Sequence, residues 1–191
     1  MIIDIHTHNA HTHAQTIDAV GIHPWQSAEG DISAIESAAA DAEAIGEIGL
    51  DFACDIGCET QISIFRAQLV IAERLHKPVV LHCVRAFEYI MRVLNNYRLK
   101  VVIFHGFIGS KEQAQRAVTQ GFYLSFGERT FRSPKTIEAL RSTPLTQLFV
   151  ETDESSTPIE EIYAKIAELR GIPTTELITA VEENYNRIFN S

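Results

Sequence analysis

Seven short β-branched runs alternate with longer amphipathic stretches along this chain, and that alternation limits its possible folds more than any other feature. The runs predict strands at Ile2–His6, Ala19–His23, Ala44–Ile48, Val79–His82, Val101–His105, Phe122–Phe126 and Leu148–Glu151. Between most of them the spacing predicts helices over Ile32–Ala42, Thr60–Leu75, Ala86–Tyr97, Lys111–Gln120, Pro134–Arg141 and Ile159–Arg170. A last helix is expected over Thr175–Phe189, with Thr174 or Thr175 as its cap behind Pro173 and Glu176 in its first turn. Such alternation implies parallel strands joined by crossover helices. The strands are nearly continuous apolar runs, as expected where both faces of a sheet are covered.

Residues able to ligate a metal fall at the carboxyl ends of many different strands. A (β/α) barrel gathers its chemistry at that end from all its loops, whereas an open doubly wound sheet concentrates it at one switch point. No Gly-x-Gly-x-x-Gly fingerprint supports the second arrangement. The expected fold is therefore α/β, a distorted TIM (β/α) barrel of seven strands with one β/α unit missing. With 191 residues, 46% of them hydrophobic, the chain can bury one substantial core, so a single domain over 1–191 is expected.

No basic-then-apolar leader opens the sequence, and no apolar run approaches the ~18 residues of a membrane span. Three cysteines, Cys54, Cys58 and Cys83, are an odd number and fit no zinc-ribbon spacing, so reduced thiols in a cytoplasmic protein are expected. A net charge of −9 argues against a broad nucleic-acid surface, since phosphate affinity comes from Lys and Arg. It leaves room for a local positive pocket.

The first candidate motif is His6-Thr7-His8. Residues two apart in a strand project to one face, so both imidazoles can reach one ion. The same spacing recurs at His11-Thr12-His13, in a polar stretch on no convincing strand, where solvated loop histidines are the plainer reading. The second motif is Gly46-Glu47-Ile48-Gly49-Leu50-Asp51, a carboxylate near a strand end between glycines, where backbone approaches closely or turns sharply. A carboxylate has two oxygens and can bridge two cations, which imidazole cannot. Asp51 suits loop capping as well as chemistry. His82 and His105 each close a Val-rich strand, and their equivalent positions favour ligation over a purely structural role. Asp153 stands just past a buried strand, and no helix that it could cap begins before Pro158.

Four imidazoles and two carboxylates suit zinc first, with manganese, magnesium, iron or nickel as alternatives. Six ligands, one of them bridging, can hold two ions and leave positions for water. The filled pocket would be net positive, so an acidic protein could still take an anionic substrate there.

Taken in order, His-x-His, Gly21-Ile22-His23-Pro24, the Glu47 string, the strand-end His82, His105-Gly106-Phe107-Ile108-Gly109, Glu151-Thr152-Asp153 and the closing Glu183-Asn184-Tyr185-Asn186-Arg187-Ile188-Phe189 resemble the TatD-like metal-dependent hydrolases of the amidohydrolase superfamily. The resemblance runs through essentially the whole chain. It implies a single TatD-like hydrolase domain, divalent metals and phosphodiester hydrolysis of the deoxyribonuclease type by a metal-bound hydroxide. It also implies that His6, His8 and Asp153 hold one metal and His82 and His105 a second, with Glu47 bridging. Asp153 would accept the proton of the attacking water, so Asp153 and Glu47 are the catalytic carboxylates. His23 matches a family histidine near the pocket, expected to face substrate rather than metal.

The chain departs from the pattern in four places. The span between His8 and Gly21 is short, which accounts for the missing unit. His8-Asn9-Ala10 replaces His-Leu-Asp. Val84, followed by Arg85, stands where an arginine is usual. Glu154-Ser155-Ser156-Thr157-Pro158 lacks the Pro-rich segment and its Arg-Gly-x-x-Asn. Lost arginines are lost phosphate contacts. Arg129 and Arg132 could replace some of them, or be solvated loop residues; Cys54 and Cys58 are expected to be free thiols rather than ligands. Three readings follow: a phosphodiesterase or nuclease acting on DNA or a small phosphodiester, a hydrolase of a small amide, lactone or ester, and a non-catalytic metal-binding relative. Apolar edges left by a missing unit also suggest a homodimer, and no membrane partner is expected.

Overall fold

The computed structural model describes residues 1–9 and 13–190. The chain forms two compact units, one of Asp18–Phe104 and one, here the flanking unit, of Met1–Ile17 with His105–Ser191. No helix among the described residues is long and apolar enough to cross a membrane.

The 18–104 unit contains β1 (Ala19–Val20), α1 (Ile32–Ala38), β2 (Ala44–Asp51), α2 (Cys58–Leu75), β3 (Val79–Val84), α3 (Phe87–Leu94) and β4 (Val102–Phe104). Its strands lie in the order β1-β2-β3-β4, every pair parallel, as the alternation required. Ile45, Ile48, Leu50, Val79 and Leu81 are fully buried in the sheet. Helix α2 lays Ile62, Phe65, Leu69 and Ala72 against the core and ends at His76, whose left-handed backbone (φ 53°) terminates it.

Two buried glutamines on α2 hold main chain rather than packing as hydrophobes. Gln68 accepts from Ile22 N at 2.6 Å and donates to Ile22 O at 3.1 Å. Gln61 accepts from Asp51 N at 2.8 Å and donates to Asp51 O at 2.9 Å. A buried backbone group without such a partner would cost about 1–3 kcal/mol.

The strand expected at Ala19–His23 stops at Val20 because the chain enters a 3₁₀ turn, Pro24–Gln26. Pro24 fixes its φ for that turn, and His23 Nδ1 accepts from Trp25 N at 3.2 Å. β2 runs past the expected end at Ile48 to Asp51, so Glu47 stands in mid-strand and not near its end. Gly49 permits the extension: its φ is +142°, and a Cβ there would lie 2.0 Å from His82 O. Helix α1 is shorter than expected, ending at Ala38, and Lys77 Nζ takes the carbonyls of Ala40 and Ala42 beyond it. Helix α3 is shorter because Asn96 donates to Val93 O at 3.1 Å.

The flanking unit contains α4 (Lys111–Thr119), β5 (Tyr123–Phe126), α5 (Pro134–Ser142), β6 (Leu148–Val150), α6 (Ile159–Arg170) and α7 (Thr174–Phe189). β5 and β6 pair in parallel. The strand expected at Ile2–His6 is a broken ladder beside β6. Ile5 N donates to Val150 O at 3.1 Å, and Asp153 N to His6 O at 3.0 Å. A bridge joins Thr7 to Asp153. The ladder breaks where a side chain takes over a rung: buried Asp4 accepts from Thr152 N at 2.9 Å and from Thr152 Oγ1 at 2.7 Å. Helix α7 begins one residue early, with Pro173 at the cap position and no side-chain cap, so neither Thr174 nor Thr175 is its cap. Tyr163 on α6 donates to Ile3 O at 2.8 Å, tying the opening segment to the helix layer.

Candidate metal centres

In the flanking unit the ladder beside β6 positions one ligand set. His8 N donates to Asp153 O at 3.0 Å, so main-chain bonds grip Asp153 from both His6 and His8. Asp153 has φ +54°, a left-handed backbone that Asp adopts more readily than most residues. Its Oδ1 lies 4.0 Å from His6 Nε2 and 3.7 Å from His8 Nε2. The rings of His6 and His105 are 4.3 Å apart. One ligating atom each from His6, His105 and Asp153 fits within a 4.8 Å span.

Behind this set lies Glu151, 1% exposed, with Oε1 3.4 Å from His105 Nδ1. Two glycines leave it room: a Cβ on Gly106 would stand 3.2 Å from Glu151 Oε1, and one on Gly127 3.3 Å from its Cγ. Burial alone would raise the Glu151 carboxyl, but His105, then His6 and Ser125, outweigh it and hold the group below the usual carboxylate range. Burial pushes Asp153 the other way, above that range, and Glu151 adds to the push. Asp4 is raised to about 6 by burial, against the hydrogen bonds from Thr152.

The 18–104 unit carries a second set. His82 on β3 places Nδ1 2.6 Å from Glu47 Oε1 on β2. His23 Nε2 is 3.3 Å from Glu47 Oε1 and 3.3 Å from His82 Nδ1. One ligating atom each from His23, Glu47 and His82 again fits within 4.8 Å. Of the two readings of Asp51, loop capping is the one seen. Its Oδ1 caps the loop at Ala53 N (2.8 Å), while its Oδ2 lies 3.5 Å from His82 Nε2. It also accepts from the Trp25 indole at 2.7 Å. Burial would raise Asp51, but the indole, Ala53 N and His82 together lower it.

Each set offers two imidazoles and a carboxylate converging on one point, a donor chemistry that fits a borderline divalent cation. The sequence reading expects His23 near substrate; the structure places its Nε2 3.3 Å from both Glu47 Oε1 and His82 Nδ1, atoms that could hold an ion.

Arg129 and Arg132 occupy a 3₁₀ turn, Glu128–Arg132, after β5. Both are exposed and paired with carboxylates, Arg129 with Glu154 at 3.6 Å and Arg132 with Glu128 at 3.3 Å. They line a cavity of about 210 Å³ together with Glu151 and Asp153. His11 lies outside the described residues, and His13 is exposed and in neither set. Cys54 donates to Asp51 O at 3.3 Å, Cys58 is exposed, and neither joins a ligand set among the described residues. The sequence reading missed Asp4, Trp25, Gln61, Gln68 and Glu151 as supports. Only Glu151, beside Asp153 in the same motif, left a signal.

Residues 4–190 match the family model described as TatD related DNase. The chain is 32% identical over 196 residues to the metal-dependent hydrolase YjjV of Escherichia coli K12, covering 90% of this chain and 76% of that protein. It is 31% identical over 199 residues to the 3'-5' ssDNA/RNA exonuclease TatD of the same organism, covering 88% and 76%. The crystal structure of YjjV superposes with a TM-score of 0.83 at 28% identity, over 92% of this chain and 77% of that one. An amidohydrolase from Saccharomyces cerevisiae shares the fold with a TM-score of 0.82 at 14% identity. The fold is thus the α/β class expected, and the chain belongs to the TatD-related DNase family of metal-dependent hydrolases.

Proposed function

We propose that this protein is a phosphodiesterase that binds two divalent ions, zinc foremost, through His6, His8, Glu47, His82, His105 and Asp153, and cleaves a phosphodiester at a nucleic-acid end or in a small molecule. The observation that carries this reading is the pair of ligand sets: His6 with His105 and Asp153, where His8 Nε2 also lies 3.7 Å from Asp153 Oδ1, and Glu47 with His82, where His23 Nε2 lies 3.3 Å from each. When bound, such ions supply Lewis acidity that activates water near neutral pH and offsets phosphoryl charge.

The chain's own residues supply the rest. Asp153, held by main-chain bonds to His6 and His8, is the proposed acceptor of the proton leaving water. Glu151 Oε1 lies 3.4 Å from His105 Nδ1, and its negative charge favours a proton on that nitrogen, which would leave Nε2 to ligate. Glu47 is a proposed ligand and charge stabiliser, with His23 beside it. Arg129 and Arg132 are the proposed anion contacts, released from Glu154 and Glu128 when an anion enters. Three free thiols support a reducing, cytoplasmic setting.

The pairing of both arginines with glutamates favours a second reading, hydrolysis of an uncharged amide, lactone or ester by the same ions. Purified protein reconstituted with zinc or manganese is assayed on a short single-stranded oligodeoxynucleotide, bis(4-nitrophenyl) phosphate, a lactone and an anilide. Turnover of the two phosphodiesters supports the proposal. Turnover of only the lactone or anilide replaces it with the second reading. Full metal occupancy without any turnover makes the chain a metal-binding relative.

A further inference from the structure

The ligand set of the 18–104 unit has an aromatic neighbour that metal chemistry does not call for. Trp25 is 56% exposed, the most open of the large hydrophobic side chains among the described residues. An exposed indole on a mobile loop would mean little. This one is fixed from three sides. It sits in the middle of the 3₁₀ turn Pro24–Gln26, its backbone N–H donates to His23 Nδ1 at 3.2 Å, and its indole N–H donates to Asp51 Oδ2 at 2.7 Å. Its ring stands nearly perpendicular to His23, with centroids 4.8 Å apart, and 6.3 Å from the His82 ring. Gln68 clamps Ile22, at the root of the turn, by both its N–H and its carbonyl. A large apolar ring is therefore held in water, in one orientation, against His23 and 6.3 Å from the ring of His82, a proposed metal ligand.

Burying that ring would return the hydrophobic free energy that its exposure forgoes, and a ring ordered beforehand loses little entropy on contact. With its only N–H already taken by Asp51, the indole has just its ring surface to offer. The ligand that suits such a surface is a flat π system. Carried one sugar away from a phosphate, that description fits a nucleobase; base–aromatic stacking is strong and tolerant of base identity. It also suits an acidic chain, because stacking gains affinity where few cations are available to grip phosphates.

We infer that Trp25 is the base-stacking platform of this site, so that the substrate is a nucleotide unit recognised through its base as well as its phosphate. The inference rests on the phosphodiesterase reading but is tested apart from it. Trp25 is the only tryptophan in the chain, so its fluorescence reports on this one position. Metal-free protein, excited at the red edge of indole absorption, is titrated with thymidine 5'-monophosphate and, in parallel, with ribose 5-phosphate. Stacking predicts saturable quenching by the nucleotide and none by the base-free phosphate. An unchanged signal with the nucleotide, or equal quenching by both, overturns the inference.

The second arm uses metal-loaded protein and compares kcat/KM on a thymidine dinucleotide with that on dimethyl phosphate. Trp25→Leu should lower that ratio about tenfold, within the range of one lost stacking contact, while Trp25→Phe retains most of it. A ratio unmoved in Trp25→Leu contradicts the platform even if both substrates are cleaved. Quenching by the nucleotide in a protein that cleaves neither ester would leave the platform standing and remove the phosphodiesterase reading.

Discussion

The two ligand sets are built from similar donors and differ in what surrounds them. The flanking unit sets His6, His105 and Asp153 against buried charge: Glu151 lies behind His105, and Asp4 replaces a rung of the ladder that carries His6. The 18–104 unit also sets a buried carboxylate, Asp51, against a histidine, His82. There the Trp25 indole and Ala53 N donate to the carboxylate, the amides of Gln61 and Gln68 clamp the main chain, and the set opens onto an exposed tryptophan. Buried carboxylates are costly unless paired, so the first arrangement pays in stability for a local negative potential suited to a cation. In the second, indole and main-chain N–H groups satisfy the one buried carboxylate, and neutral amides order the chain around it without adding charge. The contrast teaches that matching donor chemistry does not fix matching surroundings: two buried acids back one set, while a single acid held by indole and main-chain N–H groups stands beside the other.

The contrast can be broken most severely at the ligands. Glu47→Ala or His82→Ala should each lower turnover on a phosphodiester on the order of a hundredfold or more, with the circular dichroism spectrum unchanged. An active variant of either kind would remove the 18–104 set from the chemistry. Next in size is Glu151→Gln, which keeps volume and removes charge. It should weaken metal binding about 10- to 100-fold by isothermal titration calorimetry, because His105 loses its carboxylate partner. Unaltered affinity would mean that the buried charge serves only the fold.

Gln68→Ala should spare metal binding in the flanking unit but orphan two main-chain groups of Ile22. The expected loss is about 2 kcal/mol, read as a fall in Tm of roughly 4–8 °C by differential scanning calorimetry. The smallest effect is expected from Arg129→Ala with Arg132→Ala: KM for an anionic substrate should rise about three- to tenfold, since both are exposed and already paired. An unchanged KM would leave them as surface ion pairs.

How far these features can be read from sequence depends on how local their causes are. The parallel strand order and most helices follow from short-range periodicity, and α6 has the expected bounds, Ile159–Arg170. Asp153 and the histidines announce themselves by standing just past apolar runs. The flanking glycines mark Glu47 but not its mid-strand position, because the backbone freedom of Gly49 against His82 carries β2 onward to Asp51. The broken first strand was hidden because its cause, Asp4 bonding Thr152, spans 148 positions of sequence. The roles of Glu151 and Trp25 are hidden for the same reason, although the motif that ends in Asp153 does mark Glu151 itself. One acquires meaning from the space left by Gly106 and Gly127, the other from Asp51, 26 positions away.

The central claim is that both sets hold ions and that both ions are needed. Elemental analysis of the wild-type protein, His82→Ala and Asp153→Asn, each paired with a phosphodiester assay on the same sample, tests it most directly. Asn tolerates the left-handed backbone at position 153, so that variant removes charge without forcing the loop. The account predicts two divalent ions per wild-type chain, about one fewer in each variant, and phosphodiester turnover only in the doubly loaded protein. Full occupancy retained in either variant, or a doubly loaded wild type that cleaves no phosphodiester, would contradict it.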